Sequence, residues 1–286
     1  MSIISRGPAG AGRKRRHILS LSGGKDSAAL AVYMRDKVAD IEYVFCDTGK
    51  ELPETYEYLN LLEVALGKPI TRLHHDDRCG FDELLAIRRN FLPSPQVRWC
   101  TEYLKIKPFE KYVGDDWVIN YIGIRGDEGH RKRYISTKPN IEGQYPFVED
   151  GIRRHDVIRM LNETIVGGKP LGLPKYYRWR SRSGCYFCFF QQRREWIGLF
   201  ENHPDLFSLA MAYEKNDSET GERYTWVQRE SLAELSQPRR IEQIKQEYER
   251  RLQATRAARA DASLGEVFGD SDEPGDTSSA CIICHL

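Results

Sequence analysis

With 286 residues, of which 40% are hydrophobic, 30% charged and 11% aromatic, the chain is long enough to bury a core of its own and falls outside disordered, collagen-like and disulfide-stapled compositions. Forty-three Lys and Arg against forty-two Asp and Glu leave a formal charge of +1, so no global field advertises a nucleic acid or a membrane surface and any such site has to be local. No stretch approaches the roughly 18 apolar residues of a membrane span. The basic run Arg13-Lys14-Arg15-Arg16 leads into an apolar stretch broken early by Gly23-Gly24-Lys25-Asp26, unlike a signal peptide. A cytoplasmic location follows as the expectation, and nothing in the sequence specifies an oligomeric state. In a reducing compartment the seven cysteines point to metal or redox chemistry wherever they stand as Cys-x-x-Cys.

Taken in chain order, residues 1–16 form a basic tail. His17 to Ser22 reads as a strand, Ser27 to Val38 as a helix, Ile41 to Cys46 as a strand and Glu54 to Leu66 as a helix. Ile70 to His74 is the next strand, followed by helices at Phe81 to Arg88 and around Glu102 to Val113, and a strand at Trp117 to Ile124. This alternation predicts a doubly wound α/β domain over 17–150, with a mostly parallel sheet and ligands beyond the carboxyl ends of its strands. Helical patterns at Arg154 to Val166, Gln191 to Glu201, Asp205 to Lys215 and Ile241 to Arg259 predict a helical, cysteine-bearing extension over 151–260. Residues 261–286 read as an acidic tail, without Lys or Arg from Gly265 on, ending in Cys281-x-x-Cys284.

Ser22-Gly23-Gly24-Lys25-Asp26-Ser27 falls where the first strand turns into the first helix. Two glycines let backbone N–H groups approach phosphate oxygens, the helix start adds partial positive charge, and Lys25 adds a full one. Ser22 and Ser27 supply hydroxyl donors. A carboxylate at Asp26 beside a triphosphate makes chemical sense as a Mg²⁺ ligand. The bland alternative is a glycine turn with an Asp near a helix start. A Walker loop is excluded, because Gly-x₄-Gly-Lys-[Ser/Thr] is absent. Ser22 to Ser27 resembles the pyrophosphatase (PP) loop of the adenine nucleotide alpha hydrolases, Rossmann-like enzymes that cleave ATP between its α- and β-phosphates. Val44-Phe45-Cys46-Asp47-Thr48-Gly49 with Pro53-Glu54-Thr55 resembles the phosphoadenosine phosphosulfate (PAPS) reductase branch of that family. Trp99-Cys100-Thr101 with Lys105 and Pro108, Ile122-Gly123-Ile124-Arg125 with Glu128, and Ser183-Gly184-Cys185 with Cys188 follow in family order, so the resemblance runs from about His17 to about Glu214. It implies nucleotide binding at Ser22 to Ser27 and at Asp47, Thr48 and Gly49, with Lys25, Asp26 and Arg125 in catalysis.

Cys185-x-x-Cys188 is compatible with zinc, an iron–sulfur cluster or a thiol–disulfide pair. The related adenylyl sulfate reductases hold a [4Fe–4S] cluster with a Cys-Cys pair and a later Cys-x-x-Cys. Here Cys100 stands at the earlier position, with Trp99 in place of the pair's other cysteine. The resemblance therefore implies a cluster on Cys100, Cys185 and Cys188, either with one open iron or with Cys281 or Cys284 as fourth ligand. Zinc held by the two Cys-x-x-Cys pairs is the alternative, as are metal-free thiols. Cys46, inside a buried strand, reads as a small hydrophobe.

From Gly151 to Arg194 there are ten Lys and Arg against two acids, interleaved with Tyr176, Tyr177, Trp179, Tyr186, Phe187, Phe189 and Phe190. That pattern suits a phosphate backbone with stacked bases, and equally an anionic small substrate. Arg125, Arg131, Lys132 and Arg133 extend the positive character toward the nucleotide. Resemblance to nucleic-acid sulfur-modification enzymes implies ATP-dependent adenylation of DNA or tRNA coupled to sulfur transfer, with a sulfur donor such as a cysteine desulfurase. A sulfonucleotide reductase releasing sulfite is the second expectation, and a nucleotide-binding subunit of a larger complex the third.

Overall fold

The computed structural model describes residues 15–76, 79–128, 136, 138–216 and 223–260. The expected basic run at Arg131, Lys132 and Arg133, the acidic tail and the pair Cys281 and Cys284 lie outside the described residues. Five short apolar runs become strands: β1 (Arg15–Leu21), β2 (Ile41–Cys46), β3 (Ile70–Leu73), β4 (Trp117–Tyr121) and β5 (Ile141–Gln144). They form one sheet in the order β3-β2-β1-β4-β5, every neighbouring pair parallel. β1 lies in the middle, with His17 level with Ile41 on one side and with Ile119 on the other. Chain order reverses direction at β1, which makes its carboxyl end the topological switch point where such sheets bind ligands.

Alternating residues of the strands feed two cores, one on each face of the sheet. Leu19, Leu21, Tyr43 and Phe45 point to the face covered by helices α1 (Lys25–Met34), α2 (Pro53–Leu66) and, from the extension, α7 (Arg154–Glu163). Ile18, Val44, Cys46 and Val118 point to the other face. There Phe109 and Val113 come from α5 (Lys107–Val113), which follows α3 (Phe81–Ile87) and α4 (Trp99–Thr101). The expected helix at Glu102 to Val113 is present, but its start, Glu102–Ile106, is wound as a π-helix.

A further core lies beyond the sheet's carboxyl edge and draws on both halves of the sequence. Leu52, Phe81, Leu84, Trp99 and Leu104 pack there with Tyr176, Phe187, Trp196, Phe207 and Trp226. The short helix α6 (Pro146–Glu149) closes the α/β part, and the extension supplies α8 (Arg193–Asn202), α9 (Pro204–Ala212), α10 (Leu232–Leu235) and α11 (Pro238–Ala260). Phe187 is at its centre, stacked on Trp226 at 5.0 Å and tilted against Phe81 at 4.3 Å.

Three boundaries differ from expectation for identifiable reasons. β1 starts at Arg15, because Arg16 is fixed by Glu42 at 2.6 Å and Asp116 at 3.2 Å. β4 stops at Tyr121, and Gly123 then turns against the first turn of α1, so close that a Cβ would lie 3.1 Å from the Asp26 carbonyl oxygen. α7 ends at Glu163, and a hairpin of β6 (Ile165–Val166) and β7 (Lys169–Pro170) follows, turned by Gly167 and Gly168 at φ +57° and +78°. A second small hairpin joins β8 (Lys215–Asn216) to β9 (Arg223–Tyr224).

Replacing Phe187 with Ala should cost about 3–5 kcal/mol of stability, as expected for deleting a buried aromatic ring. Urea unfolding of the full chain measures it; a loss below about 1 kcal/mol would contradict a central role for this ring.

Candidate functional site

β1 ends at Leu21 and α1 begins at Lys25, so Ser22, Gly23 and Gly24 make the whole turn. Gly23 sits at φ +71°, and a Cβ there would meet the Thr55 methyl at 2.5 Å; one on Gly24 would meet Ser183 Oγ at 2.7 Å. Both glycines are therefore required, the first by backbone conformation and both by close approach. The turn is tied by its serines: Ser22 N–H donates to Ser27 Oγ at 3.1 Å and Ser27 Oγ–H donates to the Gly24 carbonyl at 3.2 Å.

Behind the turn lies a buried ionic network. Asp26 Oδ1 accepts from Arg125 Nη1 at 3.0 Å, and its Oδ2 lies 3.2 Å from Lys25 Nζ. Arg125, only 1% exposed, also pairs with Asp127 at 2.8 Å and lies 3.8 Å from Glu128. Burial alone would lower the Arg125 pKa, but Asp26, Glu128 and Asp127 together raise it above its ordinary value. The guanidinium stays charged and fixes Asp26. The family resemblance implied a catalytic role for Arg125; in the structure its guanidinium is bonded to Asp26 and holds that carboxylate in place.

The second expected segment lies at the carboxyl end of β2, next to β1. Asp47 Oδ1 accepts from Gly49 N–H at 2.8 Å and from Tyr56 O–H at 2.7 Å. Thr48 O–H donates to Glu51 Oε1 at 3.0 Å and contacts Cys185 Sγ at 3.2 Å. Cys185 Sγ is also 3.6 Å from Glu51 Oε1. Burial pushes the Cys185 thiol well up, and Glu51 adds to it. Burial likewise raises the Glu51 carboxyl against the pull of Lys105. Glu51 and Cys185 are thus held toward their neutral forms, side by side. Glu51 Oε2 is buried without a hydrogen-bond partner.

Cys188 N–H donates to the Cys185 carbonyl at 3.0 Å, so the pair shares one tight turn. Cys185 and Cys100 both lean on the core beyond the sheet edge. Among the described residues, however, no three His, Cys, Asp or Glu side chains converge closely enough to hold a metal ion. As they stand, Cys100, Cys185 and Cys188 do not form a closed donor set. Cys46 behaves as expected: it is buried, donates weakly to the Lys105 carbonyl at 3.4 Å, and burial pushes its thiol up to about 12.

Sequence reasoning missed the clasp over the glycine turn. Tyr176 O–H donates to the Gly23 carbonyl at 2.8 Å, Lys25 N–H donates to the Tyr177 hydroxyl at 3.1 Å, and Ser183 Oγ–H donates to Ser22 Oγ at 3.3 Å. Lys25 Nζ lies 5.0 Å from the centre of the Tyr177 ring. Both tyrosines belonged to a basic, aromatic stretch of the sequence, but no spacing rule links them to a loop some 150 residues earlier. Glu51 was missed for a similar reason, since its partners are distant in sequence.

Comparison with known proteins gives the following similarities. The phosphoadenosine phosphosulfate reductase domain matches residues 16–148, the α/β part of the chain. An uncharacterized protein of Methanocaldococcus jannaschii is 27% identical over 207 residues, covering 68% of this chain; the chain spans 40% of that relative's length. Phosphoadenylyl-sulfate reductase from Candida auris, solved as a phosphate complex, superposes with a TM-score of 0.46 at 13% identity, over 61% of this chain and 82% of the other. The U34-tRNA thiolase NcsA from Methanococcus maripaludis, solved with its [4Fe–4S] cluster, gives 0.34 at 13% identity, over 70% and 71%. No helix among the described residues is long and apolar enough to cross a membrane.

Gly23→Ala should destabilise by at least the ~1–2 kcal/mol of a left-handed non-glycine residue. Adding Thr55→Ala should recover only the contact part of the loss; full recovery in urea unfolding would contradict the conformational requirement. A second test follows from Glu51. Its folded pKa lies above the ordinary 4.5, so folding takes up a proton there. That contribution is favourable below 4.5 and is lost as pH rises toward the folded value. Glu51→Gln should flatten the fall in unfolding midpoint as pH rises above 4.5; an unchanged slope would contradict the assignment.

Proposed function

We propose that this chain adenylates an oxygen of a nucleic acid with ATP, releasing pyrophosphate, and that sulfur then replaces the activated oxygen. The observation that carries the reading is the intact turn from Ser22 to Ser27 at the sheet's switch point, beside a cysteine, Cys185, that contacts Thr48 on the neighbouring loop. The match of residues 16–148 to the phosphoadenosine phosphosulfate reductase domain supports sulfur-related nucleotide chemistry of this kind.

In this reading the turn's N–H groups and Lys25 bind the β- and γ-phosphates, while Asp47, Thr48 and Gly49 line the nucleotide's other side. Asp26 has both oxygens engaged by cations. When Lys25 turns to a phosphate oxygen, Oδ2 is released as a ligand for Mg²⁺, and Arg125 keeps Oδ1 in place. A Mg²⁺ held by Asp26 would supply charge neutralisation for the departing pyrophosphate. The acceptor oxygen attacks the α-phosphorus as the bond to pyrophosphate breaks. A persulfide on Cys185, loaded by a donor such as a cysteine desulfurase, then displaces AMP through its terminal sulfur. Attack of Cys188 on Cys185 Sγ frees the thiolated acceptor and leaves a Cys185–Cys188 disulfide for a dithiol reductant. A [4Fe–4S] cluster on Cys100, Cys185 and Cys188, with one open iron or with Cys281 or Cys284 as fourth ligand, is what the family resemblance implies, and zinc is the alternative. No step is derived through either.

The same domain match favours one second reading, a sulfonucleotide reductase that releases sulfite. Anaerobic incubation with α-labelled ATP, a thiol source and candidate DNA or tRNA separates the two. Labelled AMP with pyrophosphate is expected only when acceptor is present, and Asp26→Asn should lower that turnover by roughly two orders of magnitude or more. ADP as product, or normal turnover in the variant, would overturn the adenylation reading. Sulfite released from an adenylyl sulfate without pyrophosphate would select the reductase.

A further inference from the structure

Beside Lys25 the extension encloses a cavity of about 280 Å³ with a one-sided charge. Its walls include Lys25, Arg154, Arg178, Arg180 and Arg194, and no carboxylate. Lys25 is paired with Asp26, but among the described residues Arg178, Arg180 and Arg194 form no salt bridge. Arg178 is exposed. Arg180 is 1% exposed; its Nη atoms donate to the carbonyls of Gly184 and Cys185, and its Nε is buried without a hydrogen-bond partner. Arg194 lies with its guanidinium carbon 4.4 Å above the Tyr248 ring, which orients the group without neutralising it. Arg180 feels Glu51 electrostatically but forms no salt bridge with it, so the buried guanidinium is only partly compensated and an anion in the cavity would stabilise it. Together these three cations are a built site for phosphate oxygens.

The cavity does not end there. Arg194 and Tyr248 also line an adjoining groove of about 490 Å³ along α11, where Phe189, Gln191 and Arg251 continue the wall and Glu247 is the single carboxylate. Phe189 is half-buried, with its ring 4.6 Å from that of Phe190. Gln191 is 7% exposed; its Nε2 donates to the Tyr186 carbonyl at 2.7 Å, while its Oε1 is buried without a partner. Cations in one compartment, then an aromatic face and a spare amide acceptor in the next, match the repeating chemistry of a polynucleotide. Phosphates need the first, and base faces and amino edges need the second.

We propose that a single strand of nucleic acid lies in this continuous channel, its phosphates on Arg178, Arg180 and Arg194 and its bases against Phe189 and Gln191, so that the strand leads to Lys25 and the glycine turn. The inference rests on the acceptor reading given above and names the surface that holds the acceptor. A phosphate group in the cavity could also come from the nucleotide at the turn, so the test separates the two sources.

The test measures two affinities on the full chain: fluorescence anisotropy with one short single-stranded oligonucleotide made as DNA and as RNA, and equilibrium dialysis with labelled MgATP. Arg178→Ala and Arg194→Ala should each weaken oligonucleotide binding about tenfold and flatten its logarithmic salt dependence by about 0.7 per lost phosphate contact. Phe189→Ala should weaken it roughly fivefold or more. All three should leave MgATP binding as in the wild type. Arg178→Glu, at an exposed position, gives the same reading without disturbing the core. The channel is overturned if the wild type binds neither oligonucleotide, if the variants bind as tightly as the wild type, or if they lose MgATP instead, which would assign the cavity to the nucleotide. Oligonucleotide binding by a wild type that fails to bind MgATP would remove the adenylation reading and leave the channel standing.

Discussion

The buried pair of Asp26 and Arg125 is the constraint on which the rest of the site depends. Arg125 comes from the segment after β4, Asp26 from the start of α1, and the two elements flank the gap that opens where strand order reverses at β1. A guanidinium with 1% exposure requires compensating charge, and three carboxylates from two segments provide it. Because the pair closes at 3.0 Å, Gly123 must run against the backbone of α1 with no room for a side chain. The position of the glycine turn relative to the sheet is therefore fixed by charge as much as by packing.

The second constraint joins the two halves of the chain. Tyr176, Tyr177 and Ser183 all bond to the turn, and Tyr186 N–H donates to the Lys50 carbonyl at 2.9 Å on the neighbouring loop. These contacts come from the segment that carries Cys185, so whatever orders the turn also orders the thiol. The core around Phe187 and Trp226 holds that segment down. The placement of Cys185 beside the glycine turn thus follows from packing that is shared by residues 52–104 and 176–244.

Much of the sheet was legible in the sequence because parallel strands buried on both faces read as continuous apolar runs. β5 was not: Ile141–Gln144 has four residues, with Glu142 and Gln144 half-exposed or exposed at an edge. The hairpin after α7 was missed because Gly167 and Gly168 follow residues that still keep helical spacing. Within the site, Ser22 to Ser27 and Asp47 to Gly49 were found because their chemistry is contiguous in sequence. The clasp by Tyr176 and Tyr177, the Glu51 carboxyl against Cys185 and the buried Arg180 Nε without a hydrogen-bond partner were not, because each is defined by a contact across more than a hundred residues or by a missing partner.

One contact in the clasp bears on how a site of this kind stays ordered without ligand. The N–H of Lys25 points out of the start of α1, where a phosphate oxygen is the natural acceptor, and in this structure it is satisfied by the Tyr177 hydroxyl. A neutral hydroxyl meets the hydrogen-bond requirement but leaves the positive end of the helix unbalanced, so an anion competes favourably for the same donor. Tyr177 also forms part of the wall of the arginine-lined cavity. Lys25 lines that cavity as well, so the contact an anion would displace lies in its wall.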